Sequence, residues 1–437
     1  MDRLQEEPLI SVGIVHAVSV EVDFRHGFKC KDSGLVVKGC HTVSYDNGCA
    51  MLDGTDVSGF MFTPLSEAGV FSLMNVQIGI GFHWDRHETQ TFAGSLKFVV
   101  DACAIWAVNV VGVESYLRCV ISSEMNAMSD IELLKAHSVT SRSWLMAQVW
   151  GKGRFCGFQK QAHDGRSITW RDREDHDLFD VCADDHCQRY QGVGRISNRN
   201  VDKAINETRG LILTYNGDVC DARFSKCCGG VTETFETCWA NDEHPYLTSF
   251  HDGLLPPKEL KQDLRTEAGA RAWVSASPDV FCNTSDAGVL RQVLNDYDQV
   301  TTPDFFRWRV TLSADEIRSL IHTKAGYDLG DITDLVPLKR GPSGRIFELR
   351  IVGDRQSVVV GKELEIRRLL SPTHLYSSAF VVDKSDDGRT FSLSGAGWGH
   401  GVGLCQIGAA VMARKGFSFH SILYHYFRRA TIERLWD

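Results

Sequence analysis

The sequence predicts an α+β chain, with mixed strands and a helix-borne acidic residue, on three observations. Residues 9–24 alternate polar and apolar positions and are rich in β-branched side chains, the period-two pattern of a strand. Residues 129–148 have helical periodicity, with Leu133, Leu134, Ala136, Leu145 and Ala147 on one apolar face. Strand-like patterning returns at residues 345–360, after a charged, helical stretch at 252–331.

The remaining elements follow in order. Residues 92–113 read as two strands with a turn near Asp101. Ser129 and Glu132 form the pattern of a capping box, and Gly151 follows the helix they open. Residues 170–190 are polar and rich in Asp, His and Cys, which predicts a loop. Residues 211–224 predict a hairpin around Asn216-Gly217, a pair that tolerates the positive φ of a two-residue turn. Residues 252–331 predict an inserted helical subdomain within a single composite domain spanning residues 1–437. Gln406 opens a helix that stops at Gly416, and residues 417–427 form a short amphipathic helix.

Composition narrows the function classes. Of 437 residues, 43% are apolar and 24% charged, which fits a packed globular chain rather than a disordered one. A net charge of −9 supplies no basic footprint, so nucleic acid is not an expected partner. The most apolar run, residues 99–113, is interrupted by Asp101 and Asn109, so no transmembrane segment is expected. The opening Met-Asp-Arg-Leu-Gln-Glu-Glu-Pro lacks a secretory signal pattern, which leaves a cytoplasmic protein or one whose leader is not part of this chain. Fourteen cysteines are too dispersed, in too long a chain, for a small disulfide scaffold. Cys220, Cys227, Cys228 and Cys238 have no nearby His and read as small buried residues.

Three constellations carry chemistry. Glu124 falls in the turn between two helical stretches, flanked by Met125 and Met128. Partial desolvation there would raise its pKa, as a general acid requires. A helix cap or a pair with Arg142 would explain the same carboxylate. Glu114 is a rival acid, placed where a negative charge suits a helix N-terminus. His176, Cys182, His186 and Cys187 fall within twelve residues and would fill a tetrahedral zinc shell, which points to a structural metal rather than a catalytic one. Asp177, Asp184 or Asp185 could replace one ligand, and a Cys182–Cys187 disulfide would serve the same loop. Gly395, Gly397, Gly399, Gly401 and Gly403 recur at every second position. In an extended chain they would leave one bare face, open to a backbone or a flat polymer, with Trp398 and His400 on the other.

The run Gly395-Ala-Gly-Trp-Gly-His-Gly-Val-Gly-Leu-Cys-Gln-Ile-Gly-Ala resembles the signature of the sporulation stage II protein D/amidase-enhancer LytB family. Asn109-Val-Val-Gly-Val-Glu-Ser-Tyr-Leu, Ser123-Glu-Met, Lys135-Ala-His-Ser-Val-Thr-Ser-Arg, Cys228-Gly-Gly-Val-Thr and His244-Pro-Tyr-Leu are similar to further family segments. The resemblance implies a peptidoglycan lytic transglycosylase that cleaves the β-1,4 bond between N-acetylmuramic acid and N-acetylglucosamine and leaves a 1,6-anhydro end. It implies Glu124 as the catalytic acid, Arg142, Tyr246, His400, Gln406 and Tyr426 at the substrate groove, and one structural zinc at His176, Cys182, His186 and Cys187. Arg142 is expected to touch substrate or to orient Glu124 indirectly, because a close guanidinium would weaken the acid. The implied partners are glycan strands, stripped of stem peptides by a cell-wall amidase, in the cell envelope or another extracytoplasmic place. The alternative implied by the family is a noncatalytic, glycan-binding enhancer of such an amidase. Cys405 and the Cys227–Cys228 pair depart from the family pattern, where small hydroxyl or apolar residues are more usual.

Overall fold

The computed structural model describes residues 3–80, 85–126, 129–151, 159–163, 165–170, 176–184, 186–195, 199–258, 260–294 and 304–437. Strands and helices are mixed, as an α+β chain requires. The chain separates into two compact units. The first comprises residues 1–152, 175–221 and 432–437, and the second residues 153–174 and 222–431.

The first unit is built on an eleven-stranded sheet. The strand pattern of residues 9–24 divides into β1 (Leu9–Ala17) and a second strand, Ser19–Cys30. β1 pairs antiparallel with Ala104–Gly112, which pairs in turn with Ser95–Asp101, so the expected turn after Asp101 is present. The short strand Val181–Cys182 lies parallel to β1. Phe24, Phe28, Phe62, Phe71, Phe92 and Phe98 are fully buried and form the aromatic core. The rings of Phe71 and Phe92 stack at 5.6 Å, Phe92 and Tyr190 at 5.6 Å, and Tyr190 and Tyr116 at 5.0 Å, which carries the core from the sheet to the first helix.

Strand Ala104–Gly112 runs directly into α1 (Val113–Glu124), and α2 (Ile131–Trp150) follows. α2 starts two residues later than the sequence pattern suggested. Its N-cap is Asp130, and the Ser129 hydroxyl donates back to the Asn126 carbonyl instead of closing a capping box. Gly151 does cap its C-terminus. The Asn216-Gly217 turn has the expected positive φ values, 51° and 86°, and joins Leu211–Tyr215 to Asp218–Val219.

The second unit contains a five-stranded sheet and a three-stranded sheet of Arg307–Ser313, Thr390–Ala396 and Phe380–Lys384. Its core includes Ile317, Ile346, Ile351, Ile366, Phe380 and Leu393. Residues 252–331, expected as an inserted helical subdomain, carry a strand as well as helices. Arg307–Ser313 pairs residue for residue with Thr390–Ala396, so this segment is woven into a sheet with chain more than 70 residues later. Among the described residues its helices are Glu267–Val274, Ala287–Val293 and Ala314–Ala325. The last has a complete Ser313/Glu316 capping box and a left-handed Gly326 at its end.

Candidate functional site

Two carboxylates mark the two ends of α1. Glu114, in its first turn, is 1% exposed and faces Arg142, which is 0% exposed. Arg142 Nε and NH2 donate to Glu114 at 3.1 and 2.6 Å, and the Gly210 amide and the Trp436 indole add bonds of 3.0 and 3.1 Å. Arg142 NH1 donates to the Leu211 carbonyl at 3.0 Å. Glu114 therefore ties α1, α2 and the C-terminal segment together. The helix N-terminus is served instead by Glu7, whose carboxylate accepts the Glu114 amide at 2.8 Å. Arg142 is thus buried, and its charge is paired inside the first unit with Glu114.

Glu124 is the last residue of α1, not a residue of the following turn. It is 7% exposed, and its Oε1 accepts the Arg189 amide at 3.4 Å. Met125 is buried beside it, whereas Met128 lies outside the described residues. The segment that supplies Arg189 is firmly held. Tyr190 Oη donates to Asn109 Oδ1 at 2.6 Å, Asn109 bonds the carbonyls of Ala93 and Ser95, and Tyr116 Oη reaches Gln188 at 3.4 Å. Each of these groups is a buried polar atom given a partner.

The same segment begins with the His/Cys set. The ligand atoms of His176, Cys182, His186 and Cys187 all lie within 4.8 Å of one another. Cys187 Sγ is 3.4 Å from His176 Nε2 and 3.4 Å from His186 Nδ1, and Cys182 Sγ is 3.7 Å from His186 Nδ1. In a tetrahedral shell with Zn–S of about 2.3 Å and Zn–N of about 2.0 Å, sulfur and nitrogen stand about 3.5 Å apart. Four donors at these separations fit a zinc ion and leave no fifth position for chemistry. Cys182 and Cys187 are not joined by a disulfide, so that reading does not describe this loop. The Cys182 thiol is held well below its ordinary pKa, first by its bond with Cys187 and then by the two imidazoles. The loop is anchored on β1: the Ala183 amide bonds the Gly13 carbonyl, and Phe179 packs where a Cβ at Gly13 would stand. Of the proposed substitute ligands, Asp184 directs a carboxylate oxygen to the Gly79 amide, and Asp185 lies outside the described residues.

The other expected groove residues belong to the second unit. The alternating glycines do not form an extended strip with a bare face. Gly397, Gly399, Gly401 and Gly403 all have positive φ, and their missing Cβ atoms make room for the protein itself. A Cβ on Gly397 would meet the Cys227 carbonyl at 2.7 Å, one on Gly401 the Arg345 guanidinium at 2.5 Å, and one on Gly403 the Arg223 carbonyl at 2.1 Å. This is close internal packing, reinforced by paired backbone bonds between Cys227 and Trp398. His400 is half-buried against Trp239, with ring centroids 4.7 Å apart, and its Nδ1 accepts the Val402 amide. Burial, and then the charges of Arg223, Arg345 and Arg367, hold its pKa well below the ordinary imidazole value. Tyr246 is 7% exposed, with its hydroxyl 2.9 Å from His244 Nδ1. Gln406 is 1% exposed and Tyr426 0%. The Tyr426 hydroxyl donates to Asp252 at 2.8 Å. Gln406 and Tyr426 are thus buried, whereas His400 keeps an exposed edge.

The structure thus keeps Glu124 and the His/Cys loop together in the first unit, linked through Arg189. Sequence reasoning missed the Arg189 amide, because a backbone donor leaves no residue signature. It also missed Glu7, whose distance from α1 along the chain hides its capping role.

A family model described as Stage II sporulation protein matches residues 102–215, and one described as Domain of unknown function (DUF8618) matches residues 233–403. The chain is 26% identical over 326 residues to the amidase enhancer of Bacillus subtilis (strain 168), a match covering 72% of this chain and 40% of the enhancer. It is 25% identical over 341 residues to an uncharacterized protein of Brachyspira hyodysenteriae, covering 78% of this chain and 72% of that one. Stage II sporulation protein D of Bacillus amyloliquefaciens is 24% identical over 330 residues, 75% of each chain.

Proposed function

We propose that this chain, a member of the stage II sporulation protein D/LytB-like family, acts on the bacterial cell wall as a peptidoglycan lytic transglycosylase in the cell envelope. The observation that carries the reading is Glu124, a buried carboxyl at the end of α1 inside the segment matched by the sporulation model. Glu114, its rival, is committed to Arg142.

The chemistry needs one proton and one carboxylate. Glu124 gives its proton to the glycosidic oxygen as the bond from that oxygen to C1 of the muramic residue breaks. The resulting carboxylate then takes the proton of the same sugar's 6-hydroxyl as O6 bonds to C1. The acid is restored, and the product is a 1,6-anhydro ring. Because the nucleophile belongs to the substrate, no second carboxylate has to hold a water, unlike in hydrolysing glycosidases.

His176, Cys182, His186 and Cys187 would hold a structural zinc in this reading. Its contribution is to fix the loop whose next residues present the Arg189 amide to Glu124. An enhancer role for a cell-wall amidase is the second reading, favoured by the similarity to a protein named amidase enhancer.

The test is digestion of peptide-stripped glycan strands, with products read by mass spectrometry. Anhydro-muramic ends from the wild-type chain, and their loss by at least about 100-fold in Glu124→Gln, are expected for a general acid. A folded wild-type chain that yields no such ends but stimulates an amidase would establish the enhancer reading instead.

A further inference from the structure

We propose that the second unit holds a second, wholly buried metal site of the zinc–thiolate class, with Cys228, Asp252, Cys282 and Cys405 as ligands. These residues are at most 2% exposed, and their ligand atoms all lie within 4.8 Å of one another. Cys228 Sγ stands 3.6 Å from Cys282 Sγ and 3.5 Å from Asp252 Oδ2. All three cysteines are free thiols. Around a tetrahedral zinc, two sulfurs are separated by about 3.8 Å, and a sulfur and a carboxylate oxygen by about 3.6 Å. The spacing is that of edges of one coordination tetrahedron.

The support around the ligands is also that of a metal site. Asp252 Oδ1 accepts from Tyr426 Oη at 2.8 Å and lies 3.3 Å from His425 Nε2, so one oxygen is oriented from behind while the other faces the sulfurs. Metal-binding carboxylates are commonly braced in this way. Gly408 leaves the space for that arrangement, since a Cβ there would lie 2.2 Å from Tyr426 Oη and 2.5 Å from Asp252 Oδ2. The Phe281 amide bonds the Asp252 carbonyl at 2.6 Å, which holds Cys282 beside the carboxylate.

A carboxylate and three thiols gathered in the core are costly unless something compensates their charge or polarity, and a divalent ion does both. Soft thiolates select zinc over hard cations. Binding takes the three sulfurs as thiolates and releases to solvent the protons they still carry. Three sulfurs and one carboxylate close the shell, so the site is structural. It would staple residue 228, a packing partner of the glycine ladder, and residue 405, just after the ladder, to the 252–282 segment.

The full chain, purified under reducing conditions without chelator, tests this by elemental analysis and X-ray absorption. With the His/Cys loop disabled by Cys182→Ser and Cys187→Ser, about one zinc per chain is expected to remain, surrounded by about three sulfurs. Adding Cys282→Ser should remove it. If the triple variant does not fold, the wild type still decides: about two zinc ions are expected per chain, with sulfur coordination averaging above two per ion. A folded loop-disabled chain that carries no zinc, a Cys228–Cys282 disulfide in peptide maps of the wild type, or iron in place of zinc would overturn the assignment. Each outcome is independent of whether Glu124 cleaves glycan.

Discussion

The two thiol-bearing clusters were assembled in opposite ways. His176, Cys182, His186 and Cys187 come from twelve consecutive residues, partly exposed, on a loop laid against β1. Cys228, Asp252, Cys282 and Cys405 come from four segments spread over 177 positions (405 − 228) and are sealed in a core. The first is a local device whose geometry the chain can reach with one turn. The second exists only after the second unit has folded, so any ligand bound there is linked to the stability of that whole unit. The first cluster is coupled to the buried carboxyl of Glu124 by the Arg189 amide, whereas the second is coupled to packing by Tyr426 and the glycine ladder.

The contrast can be broken most forcefully at the internal pair of the first unit. Arg142→Met leaves Glu114 buried with its principal cation removed, and should cost about 3–5 kcal/mol in urea unfolding. A change below about 1 kcal/mol would mean that Glu114 finds another partner or a proton. The next largest effect is expected at the loop. Cys187→Ser should lower the yield of anhydro ends severalfold while leaving Glu124 in place, because the loop that presents Arg189 loses one of the four donors proposed to hold zinc. Unchanged activity in a zinc-free loop would separate the loop from the acid.

The smallest effect concerns pH in the second unit. Burial depresses the folded pKa of His400 below its ordinary 6.5, so the unfolded chain binds the extra proton first. The stability contributed by keeping it neutral is present above pH 6.5 and is lost as pH falls toward the folded value. His400→Gln should therefore flatten the loss of stability on mild acidification below pH 6.5, measured by chemical unfolding at a series of pH values. An unaltered slope would assign that loss to other groups.

What the sequence revealed follows the same division between local and distant. The turn at Asn216-Gly217, the helix after Glu124 and the His/Cys loop were legible because each signal lies within a few residues of its effect. The α2 start was misplaced by two residues because Ser129 found a local carbonyl before it could cap. The glycine run was legible as a special backbone, but an extended strip was the wrong geometry. Left-handed φ at alternate positions turns the missing side chains toward Arg345 and the 223–229 backbone. The bond of Arg142 to Glu114 was not legible, because its partner stands 28 positions earlier and on another helix. Cys228, Cys282 and Cys405 carried no spacing signal, since sheet pairing and helix packing bring them together.

Whether Glu124 protonates the glycosidic oxygen and then takes the proton of the sugar's own 6-hydroxyl is tested most directly by the source of the oxygen at the new sugar end. Stripped glycan digested in water enriched in heavy oxygen should give ends that carry no label and are one water lighter than hydrolysis products, with Glu124→Gln giving neither. Incorporation of one labelled oxygen per cleaved bond would show that water is the nucleophile and would contradict the account.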